Sequence, residues 1–112
     1  MESILTSIKK LLGIAEEYAH FDADIIMHIN SAFMTLSQLG IGPEEGFSIK
    51  SDAETWSDFT GDSANIEAIK TYVFIKVKMV FDPPTSSFVM TAYEHQAQEL
   101  EWRLNVQAEN KV

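Results

Sequence analysis

Three histidines, His20, His28 and His95, are the side chains best suited to acid-base or metal chemistry in this sequence. Imidazole can move protons near neutral pH or bind a transition metal, but a site needs several converging ligands. No HxxxH or HxxE spacing surrounds any of the three, so solvated or cap-pairing histidine is the ordinary reading. The nearest paired carboxylates are Asp22 with Asp24 and Glu44 with Glu45, and such a pair works as general acid and base only when held in a cleft. Both pairs fall where helix caps and turns already account for them. Gly40, Gly42 and Gly46 form a GxGPxxG run, yet a phosphate-cradling loop follows a strand and carries Lys with Ser or Thr. Here a helix pattern precedes the run and two glutamates inside it would repel phosphate. Lys70, Lys76 and Lys78 point to different sides of one helical pattern and read as solvated flanks. The absence of cysteine excludes thiolate nucleophiles, thiolate metal sites and disulfides together. No catalytic site, metal site or cofactor is expected.

The elements around these residues fit a chain of 112 residues that is 46% hydrophobic and 22% charged. That is the composition of a globular protein and the size of one domain, spanning residues 1–112. The net charge of −9 excludes a duplex-gripping surface, because such surfaces depend on Lys and Arg neutralising phosphates. The opening MESILTSIKKLLGI lacks a basic stretch before its apolar part and a small-residue cleavage site, and no apolar run approaches a membrane span. No export signal and no membrane partner are expected.

Hydrophobic periodicity predicts an all-α fold, a compact bundle of about four helices with a long acidic loop between the second and third. The first helix runs over Glu2–Leu12, with Ile4, Leu5, Ile8, Leu11 and Leu12 on one face and a stop at Gly13. The second runs from Phe21 or Asp22 to Leu39, with Asp22 as N-cap, Gly40 as stop, and a stripe of Ile25, Ile26, Ile29, Phe33, Leu36 and Leu39. In the loop from Gly40 to Ala64, Phe47 and Ile49 alternate as a short strand would, and Thr55–Phe59 makes one helical turn that tucks in Trp56 and Phe59. The third helix runs over Ala64–Phe81, capped by Asp62 or Ser63 and ended by Asp82-Pro83-Pro84. It carries two apolar stripes: Ile66, Ile69, Val73, Val77 and Val80 on one side, Ala68, Tyr72, Ile75 and Met79 on the other. The fourth runs from Ser86 or Ser87 to Ala108, with a core stripe of Val89, Met90, Tyr93, Ala97, Leu100 and Leu104. Phe88, Ala92, Trp102 and Val106 lie along its far side. A large exposed aromatic line of this kind marks an interface, so the two extra stripes predict self-association.

Three segments carry a family resemblance: LSQLGIGPEEGFSI at Leu36–Ile49, TYVFIKVKMVFDPPTSS at Thr71–Ser87 and ELEWRLN at Glu99–Asn105. Together they resemble the small head-tail connector, or DNA-packaging adaptor, family of long-tailed phages and prophages. The likeness spans most of the chain from the second helix onward, with FDPP and EWRLN as its most specific pieces; the part up to His20 carries less of it. The resemblance implies a non-enzymatic helical subunit of a ring, commonly dodecameric on the particle. Such a ring docks on the portal protein and offers its other side to head-completion or tail proteins. The subunit would lie at the head-tail junction of the virion, and in the host cytoplasm before assembly, with DNA passing through the ring without specific binding.

A closed ring needs two different patches on each subunit. Phe88, Trp102 and Val106 are the first candidates, and Tyr72, Ile75 and Met79 the second. Phe47 and Ile49 are further candidates for partner contact, through a loop that orders as an added strand on a neighbour or the portal. Carboxylates lining the lumen would keep DNA mobile by like-charge repulsion. The alternative reading is a small acidic phage-encoded binding module, an inhibitor that masks a basic partner with the Glu44–Glu67 loop. Such a module would bind with strongly salt-dependent affinity and would not join a portal ring.

Overall fold

A computed structural model of the chain describes residues 2–60 and 65–109. Among them the regular structure is helical: α1 (Ile4–Leu12), α2 (Asp22–Gln38), α3 (Trp56–Thr60), α4 (Ile66–Phe81) and α5 (Ser87–Glu109). The all-α expectation is met, and α3 is the helical turn anticipated inside the loop. The bridging between extended residues described is an isolated antiparallel pair, Ser3 with Thr55.

Local chemistry sets the helix ends. Ser3 caps α1, its Oγ accepting from the Thr6 N–H at 3.2 Å. Gly13 then takes a left-handed conformation (φ 80°), so that its N–H and that of Ile14 return to the carbonyls of Lys10 and Lys9. Gly40 (φ 84°) does the same for α2, with the Ile41 N–H donating to Leu36 O at 2.9 Å. The expected N-cap of α2 is corrected: Phe21 holds that position without a side-chain cap, and Asp22 lies in the first turn with its carboxylate turned towards Lys9. Asn65 precedes α4. The expected caps Asp62 and Ser63 lie outside the described residues. Proline at positions 83 and 84 ends α4 as expected, and Ser86 opens α5 by accepting the Met90 N–H on its carbonyl.

The two stripes of α4 explain the layering. Ile69, Tyr72, Val73, Ile75 and Val77 are all buried and span more than half of its circumference, so helices must cover it from two directions. Both α1 and α2 pack on α4. The α2 helix runs antiparallel to α4: the Phe21 and Phe81 rings meet at 5.4 Å at one end, and Ile41 and Ile69 share a groove at the other. On the Ala68 and Tyr72 side lies α5, where Leu100 and Leu104 flank a groove with Ala68 and Asn65. Phe33 of α2 gathers loop aromatics, with ring centroids of Phe59 at 4.6 Å, Phe47 at 5.2 Å and Trp56 at 6.2 Å. Phe33, Trp56 and Phe59 are buried, and each contributes about 1.5–3 kcal/mol by leaving water, while Phe47 is partly buried.

Four expectations are corrected by this packing. Tyr72 and Ile75 are buried within the chain, and the Tyr72 hydroxyl reaches Glu101 of α5. Phe47 and Ile49 form no strand. The Asn30 side chain takes the place of a neighbouring strand: its Oδ1 accepts the Ile49 N–H at 2.7 Å and its Nδ2 donates to Ile49 O at 3.0 Å. Ile49 is thereby enclosed, and Phe47 packs partly buried on Phe33 and Phe59. Val80 is exposed, since the last turn of α4 turns Phe81 rather than Val80 onto α2. Val89 is exposed too, because the burial in α5 falls at Ala97 and Leu104 while its first turns run past the body of the protein.

Candidate functional site

Because α5 packs on α4 through Tyr93, Ala97, Leu100 and Leu104, its opposite face is left largely uncovered by the other described residues. Twenty-three residues at 1.5 Å each make it about 34 Å long. On that face Phe88 is 85% exposed and Trp102 66% exposed, with Ala92 exposed and Val106 half-buried along the same line. Of the residues singled out in the sequence, Phe88, Trp102 and Val106 therefore share one outward stripe. Tyr72 and Ile75 sit behind it in the core, and Met79 is half-buried against the same core. Phe47 and Ile49 belong to a different part of the molecule, beneath the loop.

The helix that carries the stripe is held by polar contacts as well as packing. Tyr72 Oη donates to Glu101 Oε2 at 2.7 Å. Burial raises the Tyr72 hydroxyl well above its ordinary range, and the neighbouring Glu101 carboxylate raises it further, so the phenol stays protonated. Asn105 Nδ2 donates to Leu39 O at 3.2 Å, which ties the far end of α5 to the end of α2. On the exposed side Arg103 pairs with Glu99 at 2.8 Å, a screened surface contact worth a few tenths of a kcal/mol.

A second exposed surface escaped the sequence reading. Met27 and Met34 of α2 are 60% and 59% exposed, and Ser31 lies exposed between them. Two methionines seven residues apart, off the core stripe, were the available signal. Unbranched, polarisable side chains of this kind adapt to aromatic partners.

Lys9 also went unnoticed, since a lysine on a short helix reads as surface. It is 2% exposed, and its ammonium is enclosed by Glu16 O at 2.9 Å, Tyr18 O at 2.8 Å and Asp22 Oδ1 at 2.8 Å. Two of its N–H donors go to the carbonyls, and Asp22 Oδ1, which has no hydrogen-bond partner of its own, is held by ion pairing with the ammonium; together they fasten the α1–α2 connection. This arrangement is structural, because an enclosed ammonium fixed by two carbonyls and a carboxylate offers nothing to a substrate. Elsewhere, Lys70 donates to Glu2 at 2.7 Å, and that bond, outweighing partial burial, raises its pKa. Partial burial pushes the Glu54 carboxyl up, but the N–H groups of Lys50, Glu54 and Ser51 hold it below its ordinary value.

Among the described residues no group of three or more His, Asp or Glu is placed to hold a metal ion. The shallow groove around Gly42, Phe59, Ile69 and Leu104 contains no acid-base pair. Also among the described residues, no helix is long and apolar enough to cross a membrane.

A family model described as phage connector protein matches residues 4–111, nearly the whole chain. No curated protein and no solved structure matched it.

Proposed function

The chain belongs to the phage connector family, and from that membership together with the bare face of α5 we infer that it is a ring-forming structural subunit of the virion. The ring sits between the portal protein and the head-completion or tail proteins, with twelve copies on the particle. It takes part in DNA packaging and head-tail joining as a conduit, and the subunit waits in the host cytoplasm before assembly.

The observation that carries this reading is the exposure of Phe88 and Trp102 together on one helix face. A Phe or Trp side chain has about 150–250 Å² to bury, which water contact forfeits. A head-to-tail ring contact needs a second, different patch, and burial removes Tyr72 and Ile75 from that role. The Met27 and Met34 face of α2 replaces them: it is exposed, carries no charge between the two methionines, and suits an aromatic partner. With a net charge of −9, the subunit repels DNA in the lumen instead of gripping it; tight duplex binding by an assembled ring at physiological salt would contradict that part.

The test is imaging of purified portal rings mixed with a molar excess of the chain. An added ring layer at one end of the portal is the expected result. Unchanged portal rings at saturating subunit would overturn the reading and favour a free-standing binding module.

A further inference from the structure

The outward face of α5 repeats every seven residues: Phe88, His95 and Trp102 on one line, Ala92, Glu99 and Val106 on the adjacent one. This is the spacing of a coiled-coil seam, and it lies opposite the buried Ala97 and Leu104. Five of the six seam residues are exposed and Val106 is half-buried.

The order of residue types along the seam is self-complementary in one direction only. In an antiparallel pair centred between His95 and Glu99, Phe88 faces Val106 of a second copy, Ala92 faces its Trp102, and His95 faces its Glu99. A large side chain meets a smaller one at both outer levels, and a ring N–H donor meets a carboxylate at the centre, on both sides of the two-fold axis. A parallel pair would instead set Phe88 on Phe88, Trp102 on Trp102 and Glu99 against Glu99.

Charge also favours this face. Two copies of a chain carrying −9 repel, yet the positions flanking the seam are Val89 and Gln96 on one side and Thr91, Gln98 and Asn105 on the other. The one charged flank, Arg103, already pairs with Glu99. The contact spans about 28 Å of helix, and the four exposed aromatic rings of a pair present roughly 600 Å². The rings alone fall short of a standard interface and the flanking residues add to them, so a weak, reversible pair with a dissociation constant on the order of micromolar is expected.

We propose that the free subunit pairs with a second copy through an antiparallel α5–α5 seam, with His95 of each chain against Glu99 of the other. The pair is closed, because each copy presents the same patch to the other, so it cannot grow into a ring. It occupies the stripe assigned above to the ring contact. Only in that consequence does the proposal rest on the ring reading: ring entry requires the pair to open, which holds the subunit back until a template is present.

Sedimentation equilibrium of the purified chain, with charge-reversal variants, tests it. The wild-type chain is expected to dimerise at micromolar concentration. His95→Glu alone and Glu99→Lys alone should each weaken the dimer about tenfold, since each reversal acts at two symmetric contacts. An equimolar mixture of the two variants should recover most of the loss, because only the mixed dimer sets the new carboxylate against the new ammonium and retains a native His95–Glu99 contact. Both positions are exposed, so folding is preserved and is checked by the helical signal. A mixture of Ala92→Cys and Trp102→Cys chains should form an intermolecular disulfide that neither forms alone. A wild-type chain that stays monomeric near millimolar concentration would overturn the proposal, as would Ala92→Cys chains that cross-link readily to each other. Portal imaging is read separately: a monomeric chain that still joins the portal refutes the pair alone, and a dimer that never joins refutes the ring alone.

Discussion

Replacing Lys9 by Met keeps a long apolar stem in the core and deletes the ammonium that fastens the α1–α2 connection. The carbonyls of Glu16 and Tyr18 lose their donor, and the Asp22 carboxylate loses its cation. Removing one partner of a fully buried ion pair costs about 3–5 kcal/mol. Asp22 is 30% exposed, and the loop that holds the two carbonyls lies at the surface, so water recovers part of that loss. The expected destabilisation is therefore near the lower end, about 3 kcal/mol, against a total stability of about 5–15 kcal/mol for a domain of this size. At about 4 °C per kcal/mol, the midpoint of thermal unfolding should fall by about 12 °C. Urea and thermal unfolding followed by far-ultraviolet circular dichroism measure the loss, and amide hydrogen exchange over residues 14–21 locates it. Adding Asp22→Asn to Lys9→Met should recover part of the stability, because no carboxylate is then left without its cation. A single variant within 0.5 kcal/mol of wild type, with unchanged exchange in that connection, would refute the reasoning.

Asn30→Leu strips both hydrogen bonds from the Ile49 peptide groups in a partly buried setting, and should cost about 2–4 kcal/mol in urea unfolding while preserving most of the helical signal. Gly42→Ala places a methyl group 2.4 Å from the Phe59 ring at a backbone φ of 88°, so a loss of about 2–4 kcal/mol is expected, whereas Gly46→Ala, with open space around it, should lose only the strain of its left-handed backbone. Alkaline pH should weaken the fold. The folded-state values of Lys70 and Tyr72 are both raised, so their contributions are complete below the ordinary values of 10.5 and 10.0 and fade as pH rises through the higher folded-state values. Urea midpoints measured from pH 7 to pH 11 should stay level and then fall above about pH 10, with a shallower fall in Tyr72→Phe.

Helix positions were legible because they rest on local rules: Gly13 and Gly40 supply left-handed stops, Pro83 and Pro84 forbid continuation, and Ile25, Ile29, Phe33 and Leu36 recur at helical spacing. The outward line of Phe88 and Trp102 could be read for the same reason, since a helix wheel fixes which residues oppose its core stripe. What the wheel cannot fix is which helix covers a second stripe. Tyr72 and Ile75 therefore read as surplus, although the same chain encloses them. Asn30 and Lys9 were invisible for a related reason. Each takes its role from partners distant along the chain or in an irregular connection, Ile49 for the first and Glu16, Tyr18 and Asp22 for the second, and no spacing rule links an amide or an ammonium to carbonyls in a loop. The strand expected at Phe47 and Ile49 failed because alternation reports which side faces in, and a single side-chain amide can satisfy the same backbone groups as a neighbouring strand.

The proposed assembly of subunits runs through the exposed aromatic face of α5. Its most direct test compares wild type with Trp102→Glu for incorporation onto purified portal rings, with circular dichroism and unfolding measured on the same samples. Trp102 is largely in solvent, so the variant should fold with stability within about 1 kcal/mol of wild type and yet fail to build a ring on the portal. A folded Trp102→Glu chain that assembles as fully as wild type would contradict the claim.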